Sequence, residues 1–248
     1  MTDSQQINAC INKINLMYSD IRFIKQKLSL PNGIAQIRNA RFYLPDYPTD
    51  CIQSCIANGN DYWDTHALYI IDKYIPDDAV ILDIGANIGS HSLYWTLERD
   101  AKKIYAFEPL PGTYEILQKN IELNNLNDRI ISFNFGLSDE EINAKIGSYN
   151  KQNIGGTSFV KADKGNFKLK TLDSLNIPEK IDLFKIDVEG AEVEVLLGAV
   201  ETIKKNKPII VIESFNRKNQ IDIVFNELGY KQVETIREGE DYIYTYAG

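Results

Sequence analysis

Histidine and cysteine are scarce in this chain, with two and three copies among 248 residues. The histidines are His66 and His91; the cysteines are Cys10, Cys51 and Cys55. So small a supply leaves a structural zinc site short of ligands. The odd, low cysteine count also argues against the disulfide framework of a secreted domain. Cys51 and Cys55 stand at helical i,i+4 spacing, but a cluster motif would need a further cysteine where Asn58 stands, so both are read as plain buried cysteines. Long apolar runs are missing too. The longest, Ile209-Ile210-Val211-Ile212, is far short of the roughly 20 residues that span a bilayer. The opening MTDSQQINAC has no apolar signal core. Basic residues are outnumbered, 27 Lys and Arg against 35 Asp and Glu, for a net charge of −8. That balance disfavours a nucleic-acid partner or an anionic membrane surface. The chain reads as a soluble, cytoplasmic protein without membrane insertion.

What is present is periodic. Ile7, Cys10, Ile14, Met17, Ile21, Ile24 and Leu28 form an a/d stripe, which predicts an N-terminal helix that either packs on its own domain or pairs with a second copy in a homodimer. Residues 34–48 read as extended structure with turns. Thr49 or Asp50 is placed to cap a short helix at 51–56, and a further helix is expected over 62–74. From residue 79 strands and helices alternate. Strands are expected at 80–84, 103–108, 130–135, 181–186, 208–212, 230–236 and 242–246, with helices from 90, over 112–123, up to about 203 and over 221–228. This is an α/β pattern: a mostly parallel seven-stranded sheet covered on both faces, closed by an antiparallel final strand because the 238–241 turn is too short for a crossover. The link 137–180 is long and polar, with one strand at 167–170 and a helical turn at 171–175; it reads as a binding loop. The division expected is a helical and extended segment over 1–58, serving as cap or for oligomerisation, and a catalytic domain over 59–248.

The chemistry begins at Asp83-Ile84-Gly85-Ala86-Asn87-Ile88-Gly89, at the carboxyl end of the first strand of this pattern, where open α/β sheets bind ligands. Gly85 permits a tight turn and close approach to a ligand by the Gly85-Ala86-Asn87 backbone, and Gly89 lets the next helix pack closely. The dinucleotide pattern G-x-G-x-x-G is absent, because Asp83 stands two before Gly85; its carboxylate would repel a pyrophosphate and suit an ammonium. No Gly-Lys-Ser/Thr follows, so a P-loop is excluded. Glu108 ends the second strand, where a carboxylate accepts both hydroxyls of a ribose and rejects a 2′-phosphate. A nucleoside with a cationic, unphosphorylated tail satisfies both carboxylates, and S-adenosylmethionine is such a molecule. At the end of the third strand Asn134 is placed to bond the adenine, with Phe135 or Leu137 over its face; a plain strand-end turn is the alternative.

The segments VILDIGANIGSHSLYW at 80–95, IYAFEPLPGTYEILQKNIELN at 104–124, FKIDVEGAEVEVLLGA at 184–199 and PIIVIES at 208–214 together resemble the FkbM family of methyltransferases. The resemblance covers roughly 60–215 and implies a class I, Rossmann-like methyltransferase fold and transfer of a methyl group from S-adenosylmethionine to a hydroxyl oxygen, with sugars and polyketides among the acceptors of such families. Within it, Asp187 and Glu189 follow the fourth strand and Glu213 ends the fifth. A carboxylate there either takes the hydroxyl proton as general base or, with its neighbours Asp187, Glu189 and Glu213, holds a divalent cation that acidifies the hydroxyl. Amino methylation of nucleobases is disfavoured, since Asp187-Val188-Glu189-Gly190 stands where Asn/Asp-Pro-Pro-aromatic would be. His91 points either at the reaction or into packing, His66 either covers the cofactor or packs, and Tyr62 with Trp63 is either the floor of a sugar site or core. A sugar or other small-molecule hydroxyl is the expected acceptor; a cofactor-binding module without turnover and a dehydrogenase are the competing classes, the latter disfavoured by Asp83.

Overall fold

A computed structural model describes residues 30–248 and, before them, Lys13, Met17, Tyr18, Ile21 and Ile24. The stripe expected over 7–28 and its pairing with a second copy therefore lie largely outside the described residues. The described chain opens with a hairpin, β1 (Ile34–Ile37) and β2 (Ala40–Tyr43), followed by α1 (Cys51–Gly59) and α2 (Thr65–Ile71). Asp50 is the cap: its side chain accepts the Gln53 backbone N–H at 2.9 Å, satisfying a helix-end donor. α1 turns Ile52, Gln53 and Ile56 inward, which leaves Cys55 exposed and Cys51 half-buried; the expectation of two buried cysteines is corrected.

The alternating part follows the sequence pattern closely: β3 (Val80–Ile84), α3 (Ser90–Leu97), β4 (Lys103–Phe107), α4 (Pro111–Leu123), β5 (Ile130–Phe133). After a second, smaller sheet, built from β6 (Gly136–Leu137), β7 (Ile142–Asn150), β8 (Asn153–Lys161) and β9 (Phe167–Lys170), the chain returns with β10 (Leu183–Ile186), α5 (Glu192–Leu197), α6 (Val200–Asn206), β11 (Ile209–Glu213), α7 (Lys218–Glu227), β12 (Tyr230–Ile236) and β13 (Asp241–Tyr246). The large sheet has seven strands in the order β12-β13-β11-β10-β3-β4-β5, parallel except that β13 runs antiparallel to both its neighbours. This is the mostly parallel sheet with an antiparallel closing strand that the alternation predicts, and the fold is Rossmann-like.

Strand alternation divides the core. Ile81, Ala106, Leu183 and Val211 face one layer with α1 to α4 and the β1–β2 hairpin; Leu82, Phe107, Phe184 and Ile210 face the other with α5 to α7. β3 is buried on both sides at all five positions, hence its unbroken apolar run. The buried Asn120 of α4 ties three pieces together: its side chain accepts the Tyr43 N–H at 2.6 Å and donates to the Ile88 carbonyl at 2.8 Å. The single helix expected up to residue 203 is two, because the chain breaks at Gly198, where a β-carbon would lie 1.9 Å from the Ser138 carbonyl of the approaching second sheet. The link 137–180 is likewise corrected, from a loop to an ordered sheet whose longest part is the β7–β8 hairpin. Among the described residues no helix is long and apolar enough to cross a membrane.

Candidate active site

β3 is the strand at which the order reverses, with β4 on one side and β10 on the other, and a cavity opens at the carboxyl ends of these strands. The turn after β3 is built on left-handed backbone at Gly85 (φ 82°), Asn87 (φ 52°) and Gly89 (φ 86°). The Gly85 and Ala86 N–H groups both donate to the Phe107 carbonyl, at 3.0 and 2.9 Å, which seals the turn to β4. A β-carbon at Gly85 would fall 1.8 Å from the Asp187 carbonyl, and one at Gly89 would fall 2.5 Å from Leu117 Cδ1. Glycine is required at both, first by the strand end beside the turn and then by helix packing.

Glu108 completes this half of the cavity. One carboxylate oxygen accepts the Asn87 N–H at 3.0 Å and the other accepts the Leu110 N–H at 2.8 Å. Burial pushes its carboxyl up to about 7 in spite of these two bonds. Each oxygen keeps a lone pair for a further donor. Gly85, Ala86, Asn87 and Glu108 line the cavity; Gly89 stands just outside it.

Asp83 does not line it. Its side chain is fully buried, accepting the Ser92 hydroxyl at 2.6 Å and lying 3.4 Å from Lys185 Nζ. The expectation that Asp83 meets a ligand ammonium is corrected: parallel pairing of β10 with β3 puts Lys185 in register with Asp83, so the protein supplies the cation itself. Removing one partner of such a buried pair costs about 3–5 kcal/mol. Asn134 and Phe135 are also outside the cavity. Asn134 donates to the Glu108 carbonyl at 2.9 Å, Phe135 packs 5.8 Å from Phe107, and the wall beside them is Gly136 and Leu137.

The other half of the cavity is made of charged side chains. Asp187, Glu189 and Glu213 all line it, as do Lys185 and Arg237. Burial alone would raise Asp187, but the Lys185 ammonium at 3.2 Å and a hydrogen bond with Glu213 hold it below the usual carboxylate range. Burial and the Asp187 charge push Glu213 up to about 9, although Arg237 sits 2.8 Å away. Two carboxyls in hydrogen-bond contact share a proton; here it resides on Glu213, which donates to an ionised Asp187. Arg237 is also paired with Asp241 and, at 3.3 Å, with Asp64. Glu189, at φ 53°, makes none of these pairings; burial, then Asp187 and Glu192, raise its carboxyl to about 7. Among the described residues no three His, Cys, Asp or Glu side chains are grouped to hold a metal ion. The donor set does not fit the divalent cation raised as an alternative, because Asp187 and Glu213 are already paired with the cations Lys185 and Arg237.

His91 lines the cavity from α3, with Nε2 3.2 Å from the Trp63 carbonyl, so Nε2 carries the proton and donates. Burial and the nearby Lys185 lower its pKa, which keeps the ring neutral. Trp63 is in the cavity wall, Tyr62 is core, and His66 is exposed and away from the cavity.

The roof is the β7–β8 hairpin, whose Ile154, Gly155, Gly156 and Thr157 line the cavity. It is pinned to α1: the Cys51 N–H donates to the Gln152 carbonyl at 2.8 Å, and Asp50, already the helix cap, takes the Ile154 N–H on its second oxygen at 3.0 Å. Lys185, Arg237, Phe159 and Phe215 are among the lining residues that the sequence reading assigned no role. Lys185 was findable, since it lies two residues before Asp187 on one strand face. Arg237 was not, since its approach depends on β13 folding back beside β11.

The family profile described as "Methyltransferase FkbM domain" matches residues 83–238. "Methyltransferase 1" of Beauveria bassiana is 31% identical over 165 residues, which is 54% of this chain and 65% of that protein, so the match spans a little under two thirds of the relative's length. "Hexuronic acid methyltransferase AglP" of Haloferax volcanii is 28% identical, covering 54% of this chain and 56% of that one. Among solved structures, methyltransferase FkbM of Methylobacillus flagellatus KT superposes with a TM-score of 0.50 at 19% identity, over 68% of this chain and 44% of that one. Streptococcus pneumoniae Sp1610 in complex with S-adenosyl-L-methionine does so with a TM-score of 0.50 at 15% identity, over 73% and 70%.

Proposed function

The chain belongs to the FkbM methyltransferase family, and from that premise we propose that it transfers the methyl group of S-adenosylmethionine to a hydroxyl oxygen, with a sugar as acceptor, nucleotide-linked or part of a surface glycan. The observation that carries the reading is Asp187: an ionised carboxylate in the cavity wall, at the end of β10, in backbone contact with the glycine turn after β3. The turn and Glu108 fit the methyl donor. Glu108 is a buried carboxylate with one backbone donor on each oxygen, and a ribose diol brings the two further donors that would offset its burial. When bound, S-adenosylmethionine supplies an electrophilic methyl, and the carbon–sulfur electron pair leaves with sulfur.

The chain's own part is to accept a proton and hold the acceptor. Asp187 takes the hydroxyl proton as the oxygen–carbon bond forms. Glu213, kept protonated by burial and the Asp187 charge and held in place by Arg237, donates to Asp187 and sets its orientation. Trp63 offers an apolar face to a pyranose, and the roof over Ile154–Thr157 keeps water from the reacting oxygen. The polar character of the 150–158 turn and the hexuronic acid named for one relative support a sugar; a polyketide or other small-molecule hydroxyl is the alternative acceptor. The net charge of −8 supports an acceptor other than nucleic acid. A cytoplasmic location, a homodimer through the 7–28 stripe, and a role for 1–58 in capping and assembly belong to the same proposal.

Transfer of labelled methyl from S-adenosylmethionine to panels of sugars, polyketide alcohols and amines, with the product linkage read by mass spectrometry, is the test. Label on an amine, or binding of the donor with no transfer to any hydroxyl, overturns the reading. A second assignment of the base is favoured by one observation: Glu189 makes no ion pair among the described residues, and burial raises its carboxyl to about 7, the range in which general bases work best. If Glu189 is the base, the rate falls below about pH 7 and Glu189→Gln removes that limb; if Asp187 is, the acid limb lies below the ordinary carboxylate range.

A further inference from the structure

Lys185 stands at the junction of the two halves of the cavity. It rises from β10, opposite Asp83 of β3, and its side chain is 8% exposed. Its ammonium donates to the Gly85 carbonyl at 2.9 Å and lies 3.2 Å from Asp187 Oδ2 and 3.4 Å from Asp83 Oδ1. These three oxygens belong to three different pieces: the glycine turn, the proton-accepting strand end and the strand beneath the turn. The turn and the strand end also touch directly, since the space for a Gly85 β-carbon is filled by the Asp187 carbonyl. A buried ammonium that donates to the Gly85 carbonyl and is ion-paired with both Asp187 and Asp83 has little freedom to follow one of them away from the others.

We propose that Lys185 is a positioning residue, which mounts the donor turn and the Asp187 carboxylate on one ammonium so that the methyl donor and the proton acceptor keep a fixed relation. The inference rests on the assignment of the turn and Asp187 to methyl transfer, and adds the part that couples them. It also gives Asp83 a purpose: the buried carboxylate balances the charge of the cation that does the coupling. A displacement of about 1 Å between reacting groups costs on the order of a hundredfold in rate, which is the scale such a mount protects.

The experiment compares wild type with Asp83→Asn, with Asp83→Asn/Lys185→Met and with Asp187→Asn. The Asp83 change removes the carboxylate that loss of Lys185 would leave buried and unpaired. Amide exchange by mass spectrometry, with and without S-adenosylmethionine, should show residues 85–89 and 187–190 opening together, about tenfold faster, in the double variant and in neither segment of Asp83→Asn. With donor labelled at the methyl carbon, the bound methyl resonance of the double variant should shift as it does in Asp187→Asn, because the carboxylate has left its place. If the double variant fails to fold, Asp83→Asn/Lys185→Gln serves; it retains a donor for Gly85 without the charge, and should loosen only 187–190. A cooperatively folded variant whose two segments exchange as in wild type overturns the proposal, as does a wild-type methyl resonance where Asp187→Asn moves it. If wild type binds no S-adenosylmethionine, it is the functional reading that fails, and exchange in the unloaded protein still decides the role of Lys185.

Discussion

The two halves of the cavity are built on opposite plans. At the ends of β3 and β4 the wall is backbone: the left-handed Gly85 and Asn87, two N–H groups spent on Phe107, and one carboxylate whose oxygens each accept a single N–H. At the ends of β10 and β11 it is side chains: the cations Lys185 and Arg237 flank an ionised Asp187 and a protonated Glu213, with Asp241 and Asp64 behind. A backbone wall holds one shape and suits a ligand that never varies. A wall of coupled charges changes protonation with little movement, which suits the place where a proton must be received.

The comparison breaks if the charged half proves dispensable. Asp187→Asn should lower kcat by about 10²–10⁴, the usual worth of a general base, while donor affinity measured by calorimetry stays within about threefold. Near-normal turnover on the true acceptor would sink the assignment. The backbone half is sharpened by Glu108→Ala, expected to weaken donor binding by about 1.5–3 kcal/mol with kcat at saturation little changed, the range for hydrogen bonds to a charged group. An unchanged affinity would put the ribose elsewhere. The roof rests on the backbone half and on α1 at Gly155, where a β-carbon would stand 2.5 Å from both Asn87 Nδ2 and Ile52 Cδ1. Gly155→Val should therefore lift the hairpin, costing about 1–3 kcal/mol of stability and making 142–161 more open to proteolysis; protection equal to wild type would mean the hairpin does not rest on the turn.

The smallest expected effect is a pH slope. The Glu108 carboxyl is raised to about 7 in the folded chain, so the folded state holds that proton more tightly than the unfolded one. Its contribution is most favourable below the ordinary carboxylate range and is lost as pH rises through it to about 7. The melting temperature of Glu108→Gln should gain on that of wild type over this window without donor, and donor affinity in wild type should rise over the same window. Parallel melting curves at every pH would place the Glu108 carboxyl in water-like surroundings.

Much of this was legible in the sequence and some was not, for reasons particular residues make plain. β3, β4, β10 and β11 are buried on both faces and read as short apolar runs, and Asp187, Glu189 and Glu213 are where a strand-end count puts them. The β7–β8 hairpin was not legible: Ile146-Gly147-Ser148-Tyr149-Asn150 is largely exposed and shows no clean alternation, because β7 buries Ala144 alone. Asp83 looked like a ligand group because a sequence shows the spacing along a strand and not the cation standing opposite on the next one.

The β12–β13 pair carries one more consequence. β13 is inserted between β11 and β12, and it is the last described strand to leave the ribosome. Until it arrives, β11 is an open sheet edge, and Glu213 lacks Arg237 and Asp241. The backbone wall thus comes from earlier strands and the charged wall is finished later, so that the cavity has its full lining only when β13 has closed the sheet.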